Sequence, residues 1–230
     1  YILPSPWHDD HRLALYSVWS DSVTRNISIL DSQIGSGFIF GTRYVIPLQP
    51  VDTYTHSLSL GFDYKDSEDT SDTEFDSEKK SVTYLPWAFA YNGYATADSS
   101  TTRFNLGVNL SFRDLVSEEE EFAAKRDNAR ADYIYLNAGV EHERKFLWDT
   151  GLLVKLEGQL ADQQLISNEQ FSAGGRESVR GYFESSSSGD NAVHAVVELR
   201  GPDMGSRVPV LASIPFQAIP FVFYDIAYLS

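Results

Sequence analysis

Arg103-Phe104-Asn105-Leu106-Gly107-Val108-Asn109-Leu110-Ser111-Phe112-Arg113 alternates apolar and polar residues without a slip. A period of two puts Phe104, Leu106, Val108, Leu110 and Phe112 on one face of a β-strand and Asn105, Gly107, Asn109 and Ser111 on the other. The pattern recurs outward in both directions. Leu58, Leu60, Phe62 and Tyr64 face away from Ser57, Ser59, Gly61 and Asp63; Ile134, Leu136, Ala138 and Val140 face away from Tyr135, Asn137, Gly139 and Glu141. Leu152, Val154, Leu156 and Leu160 oppose Lys155, Glu157 and Gln159, and Val193, Ala195, Val197 and Leu199 oppose His194, Glu198 and Arg200. Val222, Tyr224, Ile226 and Tyr228 oppose Phe223 and Asp225. His11 to Ser20, Gly37 to Leu48 and Ser81 to Tyr94 read as three further strands, the last interrupted by Pro86, which cannot donate to a ladder. The expectation is an all-β chain of about nine strands, each about ten residues long.

Alternation alone fits a soluble sandwich and a membrane barrel equally. Two features favour the barrel. The strands are long for a sandwich, where about five or six residues is usual. The polar faces carry charges of both signs, among them Glu141, Lys155, Glu157, Glu198 and Arg200, as a water-filled lumen tolerates. Connection lengths add a third. Short ones, such as Pro47 to Thr55 and Lys145 to Gly151, alternate with long ones at Asp66 to Lys80, Asp114 to Arg130 and Gln163 to Asp190. Sorting of this kind is typical of an antiparallel up-and-down transmembrane β-barrel. The connection from Gly201 to Phe216 breaks the rule, being longer than a tight turn.

The chain has 230 residues, no cysteine and a formal charge of -15. Disulfides and thiolate metal sites are excluded, and the charge argues against nucleic acid, whose phosphates need a basic stripe. Two acidic runs, Asp66 to Glu78 and Glu118 to Glu121, fall between alternating segments and read as solvated loops. No window is long and apolar enough for a membrane helix, a test that barrel strands escape. Catalytic residues are not expected: there is no nucleophile motif, no phosphate-cradling loop and no tuned carboxylate pair. A metal or other cofactor is not expected either. His8 and His11 lack a third ligand, and the Asp66 to Asp72 run lacks the spacing and glycine of a calcium loop.

The long connection before the Val193 strand contains Phe171-Ser172-Ala173-Gly174-Gly175-Arg176-Glu177-Ser178-Val179-Arg180-Gly181-Tyr182. On the residues alone, Arg180 could lie in an exposed turn. The stretch resembles the plug-loop motif of two-partner secretion transporters, the TpsB proteins of haemolysin secretion/activation type. They belong to a superfamily that includes the barrel-assembly insertases. Gly189-Asp190-Asn191, Val197-Glu198-Leu199-Arg200, Phe221-Val222-Phe223-Tyr224-Asp225 and Tyr44-Val45-Ile46-Pro47-Leu48 also look like that family.

The resemblance implies a loop folded back into the lumen, with Gly174, Gly175, Val179, Arg180, Gly181 and Tyr182 as its motif and an acidic wall residue as the partner of Arg180. Asp225 shares a face with Phe223, opposite Val222 and Tyr224, and is the candidate partner through a bidentate charge-assisted contact. Gly181 would give a close approach or an unusual dihedral, and Tyr182 would pack its ring while its hydroxyl finds a partner. Glu198 and Arg200 are candidate lumen-lining residues, with an ion pair devoid of any transport role as the plainer reading. Arg176 and Glu177 read as solvated.

The function so implied is export of a large partner exoprotein, a haemolysin or adhesin, across the outer membrane of a Gram-negative bacterium. Its partners would be the secreted cargo and outer-membrane lipid. An insertase barrel and a passive porin-like barrel are the alternatives. The family's barrel has sixteen strands, so residues 1–230 are expected to be the central and C-terminal part of a barrel domain. POTRA domains and the closing strands would lie outside the chain.

Overall fold

The computed structural model describes residues 1–25, 32–72, 77–205 and 218–230. Its strands are β1 (Ile2–Pro4), β2 (Arg12–Arg25), β3 (Ser32–Pro47), β4 (Tyr54–Asp72), β5 (Ser77–Tyr84), β6 (Trp87–Ala97), β7 (Ser100–Ser111), β8 (Tyr133–Lys145), β9 (Gly151–Ala161), β10 (Phe171–Ala173), β11 (Ser187–Gly189), β12 (Ala192–Arg200) and β13 (Phe221–Leu229). One short helix, α1 (Glu119–Lys125), lies between β7 and β8. The main sheet runs β1-β2-β3-β4-β6-β7-β8-β9-β12-β13, every neighbour antiparallel, with β5 also on β4. A separate two-stranded ribbon joins β10 to β11.

β5 and β6 are one pass of the chain. Tyr84 faces Lys65 and Trp87 faces Phe62, so Leu85-Pro86 interrupts the ladder without shifting its register. Pro86 lacks an N–H, yet its carbonyl still accepts from the Asp63 N–H at 3.0 Å. Counted this way, all nine expected strands are present. They form an up-and-down sheet that matches a partial barrel wall. Residues 206–216 of the long final connection lie outside the described residues.

The apolar row forms the outside. Leu58, Leu60, Phe89, Phe104, Leu106, Ile134, Leu136, Leu156, Val193, Val222 and Ile226 are all exposed. Monomeric soluble proteins rarely expose so continuous an apolar band to water. In hydrocarbon the same band is at rest, because the ladder satisfies the backbone groups within the sheet. The concave face carries the polar residues. Arg43 clamps Asp63 through two bonds of 2.8 Å, and the Tyr16 hydroxyl donates to the same carboxylate at 2.5 Å, bracing β2, β3 and β4 together. Directly opposed Arg103 and Glu141 pair between β7 and β8.

Both acidic runs differ from expectation. Asp66 to Asp72 is strand, because β4 continues beyond the apolar band and pairs with β3 on one side and β5 on the other. Hairpins that rise past the membrane keep their ladder bonds, and here lysines answer the carboxylates: Lys79 pairs with Glu68 and Lys125 with Asp69, each at 2.6 Å. The second run starts α1. Glu119 accepts from the Ala131 N–H and Glu121 from the Thr83 N–H, while Phe122 is fully buried. Acidic residues suit the first turn of a helix, where the backbone dipole is positive.

The buried apolar cluster consequently sits at the long-loop end of the concave face. Val82, Tyr84, Phe122, Ala129, Ala131, Tyr133, Tyr135, Leu165 and Ile166 form it, contributed by two strands and two long connections. Loops fill the space that a soluble fold would fill with strand side chains.

The placement of Leu106 gives a direct test. Leu106→Arg puts a charge on the outer face in mid-strand and should cost about 2–4 kcal/mol if that face meets hydrocarbon. An exposed site in water would shift by only about 0.5 kcal/mol. Urea unfolding of the full-length protein in lipid vesicles, beside Leu106→Ala, distinguishes the two.

Candidate functional site

The connection between β9 and β12 folds onto the concave face and meets the wall at two places. The first is Arg180. Its Nε donates to Asp225 Oδ2 at 2.8 Å, its Nη2 to Asp225 Oδ1 at 2.7 Å, and its backbone N–H to Oδ2 at 3.0 Å. Nη1 donates to Glu198, which also accepts from Arg200 Nε at 2.7 Å. Arg200, directly opposite Gly151 of β9, in turn donates to Glu143 of β8 at 2.9 Å. The Arg180 guanidinium lies 3.6 Å from the centre of the Phe223 ring, a cation–π contact.

Alternation explains why these groups meet. Glu198 lies directly opposite Phe223 in the β12–β13 register, and Asp225 is two residues further along β13 on the same face. The Asp225 side chain is 2% exposed, against 20% for Arg180. A carboxylate so enclosed needs paired donors, and only a planar guanidinium can offer a fork to one acid and a third N–H to another. Charge-assisted bonds of this kind contribute about 1.5–3 kcal/mol each before solvent screening.

The motif's glycines shape the tip. Gly174, Gly175 and Gly181 all have positive φ, with +95° at Gly175 and +93° at Gly181. A Cβ at Gly175 would sit 2.0 Å from the Glu184 carboxylate, which accepts the Arg176 N–H. At Gly181 nothing lies within 4 Å, so the dihedral alone requires glycine there, not a close approach. Val179 is the acceptor of the turn, taking the Tyr182 N–H at 3.4 Å. That turn carries Tyr182 outward: its ring is 68% exposed and does not pack as the sequence suggests. Arg176 and Glu177 are open to solvent.

The second meeting place escapes the sequence reading. Glu169 is almost wholly enclosed and accepts from Lys65 Nζ at 2.5 Å, the Tyr84 hydroxyl at 2.6 Å and the Tyr135 hydroxyl at 2.9 Å. β4 and β8 are three strand spacings apart, about 14 Å along the sheet, yet Lys65 and Tyr135 share one carboxylate, so the wall curves around it. Gln159 Nε2 donates to the Glu169 carbonyl at 3.1 Å and to the Asp190 carbonyl at 3.2 Å, joining the two stems of the loop. Asp190 Oδ1 accepts from Arg126 at 2.5 Å, Gln170 at 2.9 Å and the Leu165 N–H at 3.1 Å. Burial pushes the Asp190 carboxyl up, but these three bonds and the Arg126 charge outweigh it and hold it below the usual carboxylate range. A signal for this region does exist in the sequence: Leu165-Ile166 is an apolar pair inside a polar connection, and both residues are buried.

His8 and His11 stack on one another, and His11 bonds to Tyr44. Among the described residues no three His, Asp or Glu side chains gather as metal ligands would.

A family model described as haemolysin secretion/activation protein ShlB/FhaC/HecB matches residues 49–226. The solved structure of CdiB from Escherichia coli superposes with a TM-score of 0.72 at 17% identity. The match covers 95% of this chain and 40% of the CdiB chain, so the two share a fold over less than half the longer protein. No curated protein matches the chain in sequence.

Two outcomes follow from this geometry. Asp225→Asn should loosen the Arg180 loop more than Glu198→Gln, because Asp225 takes three bonds from Arg180 and Glu198 one. Limited proteolysis between Arg176 and Glu184 reads the difference. The depressed Asp190 value gives a pH dependence: its contribution is complete above the ordinary carboxylate value of about 3.9 and disappears as pH falls through the lower folded value. The protection of the Leu165 amide, taken relative to its intrinsic exchange rate at each pH, should therefore fall only in that acid range and stay constant from pH 5 to 8.

Proposed function

The chain belongs to the ShlB/FhaC/HecB family of haemolysin secretion/activation proteins, outer-membrane β-barrel transporters, and from that premise we propose that it forms the wall and plug of an exporter for a large partner exoprotein. The cargo is of haemolysin or adhesin type and passes the lumen unfolded. POTRA domains preceding the barrel in the full-length protein would capture it first. Residues 1–230 supply the central and C-terminal strands of the barrel domain, and further strands of the same protein complete it.

The observation that carries this reading is the Arg180 contact. The connection from β9 to β12 lies along the concave face, and its tip is held there by one guanidinium bridging carboxylates of β12 and β13. A passive pore has no need of such a loop in its path. Ion pairs in a wet lumen suit a plug that must be displaced. Their strength is sensitive to screening and to competing charges, whereas a greasy stopper would need its apolar surface exposed to water. The family match to haemolysin secretion/activation proteins supports the exporter over the insertase. The mixed charges on the wall, Arg103, Glu141, Lys155 and Glu157, present no single-sign trap to a passing chain.

Arg180→Ala in the full-length protein should cut exoprotein secretion severalfold while leaving the amount of folded barrel in the outer membrane unchanged. Arg180→Lys should recover little, since an ammonium cannot offer the fork. Export at the normal rate by the alanine variant would remove Arg180 from the mechanism. Full export of cargo by cells lacking the whole protein would remove the transporter reading itself.

A further inference from the structure

The loop between β9 and β12 divides into two parts that are held by different chemistry. Its root comprises residues 162–170 on the incoming side and Asp190-Asn191 on the outgoing side. The root is tied to the wall by Glu169 to Lys65, Tyr84 and Tyr135, by Gln159 to both stems, by Asn168 to Ser67 at 2.9 Å, and by Asn191, which accepts the Ala161 N–H at 3.0 Å. Arg126 crosses both stems, donating to the Leu165 carbonyl at 2.6 Å and to Asp190. Leu165 and Ile166 are pressed into the apolar cluster with Phe122 and Tyr84.

The head, residues 172–188, is different. It bonds chiefly to itself: Ser178 Oγ accepts from the Gly174 N–H at 2.8 Å and donates to the Gly174 carbonyl at 2.9 Å, and β10 pairs with β11. Among the described residues, the hydrogen bonds tying the head to the wall come from Arg180 alone. Glu184, Tyr182 and Phe183 are exposed.

We propose that Glu169 is a positioning residue that fixes the root of the loop as an immobile neck, so that loss of the Arg180 contacts frees only the head, which swings on that neck inside the lumen. This rests on the reading of the loop as a plug and specifies how it moves. The whole loop does not leave the barrel. Its travel is limited to the 17 residues from 172 to 188, pivoting where Gln170 and Asp190 are bonded across the stems. The neck resists because its acid is enclosed. Withdrawing Glu169 would strand a carboxylate, a lysine ammonium and two tyrosine hydroxyls at once, in surroundings where unpaired polar groups are costly. The head yields because Arg180 is partly wet and its contacts are exchangeable with water and salt.

Hydrogen exchange read by mass spectrometry on the full-length protein in lipid nanodiscs, without cargo, tests this. Arg180→Ala should speed exchange of the amides from Gly174 to Ser186 about tenfold or more, and leave those of Leu165 and Glu169 within about twofold of the unsubstituted protein. Tyr135→Phe, which removes one donor from Glu169 and keeps the ring, should do the reverse: faster exchange in 162–170, with Gly174, Ser178 and the β8 ladder still protected. Glu169→Gln should enlarge that effect. Equal acceleration of root and head in Arg180→Ala would mean that the loop moves as one body and would overturn the proposal. So would unchanged exchange of the root in both Tyr135→Phe and Glu169→Gln. Because cargo is not needed, these results stand apart from the secretion assay, and the neck can fail while the transporter reading survives.

Discussion

A backbone in hydrocarbon has no water to bond, so every N–H and C=O of the wall must be answered within the protein. The antiparallel ladder does this, and most else in the structure follows from it. Because the ladder fixes a period of two, each strand sends one row of side chains into lipid and one into the lumen. Leucine, valine and phenylalanine take the first row. The second row must then hold the polar residues, which find partners across strands: Arg43 with Asp63, Arg103 with Glu141, Arg200 with Glu143. Among the described residues, the buried apolar cluster forms where long connections fold inward and bring Phe122, Leu165 and Ile166 against Val82, Tyr84 and Tyr133.

The sequence carried the wall almost completely. A strict alternation from Phe104 to Phe112 leaves little freedom, and strand length with loop parity decided between sandwich and barrel. The plug motif stood out through its resemblance to a family, since the residues alone would also allow Arg180 in an exposed turn; the positive φ of Gly174, Gly175 and Gly181 gives a physical reason for the glycines only once the backbone is known. Asp225 was legible for the same reason as the wall: its parity with Phe223 turns it inward.

What the sequence withheld are contacts between segments far apart in the chain that no period links. Glu169 meets Lys65 across 104 residues and Tyr84 across 85. A lone glutamate in a polar connection looks solvated until the curvature of the sheet is known. The acidic runs misled for a related reason. Carboxylate-rich stretches usually stay in water, but Asp66 to Asp72 is drawn into β4 by its ladder to β3 and β5, and Glu119 to Glu121 gain backbone donors and a helix dipole. Tyr182 was misplaced because a two-residue turn decides its direction, and turn geometry is poorly encoded beyond the glycine itself.

The two attachments of the loop differ in how they respond to their surroundings, and that difference follows from exposure. Arg180 is 20% exposed, and ions in the lumen approach it within a screening length of about 8 Å at physiological salt. Its bonds are strong in geometry but open to competition, so carboxylates and other anions in solution can exchange with Asp225 and Glu198 one bond at a time. The Glu169 carboxylate is 1% exposed, and two of its three donors are tyrosine hydroxyls whose rings belong to the apolar cluster. Competing ions reach it only after that cluster opens, which also requires Leu165 and Ile166 to leave their packing. A single loop thus combines a fastening that solution conditions can loosen with one that only unpacking can. Their order along the chain, root before tip, decides which part of the loop moves when the first is released.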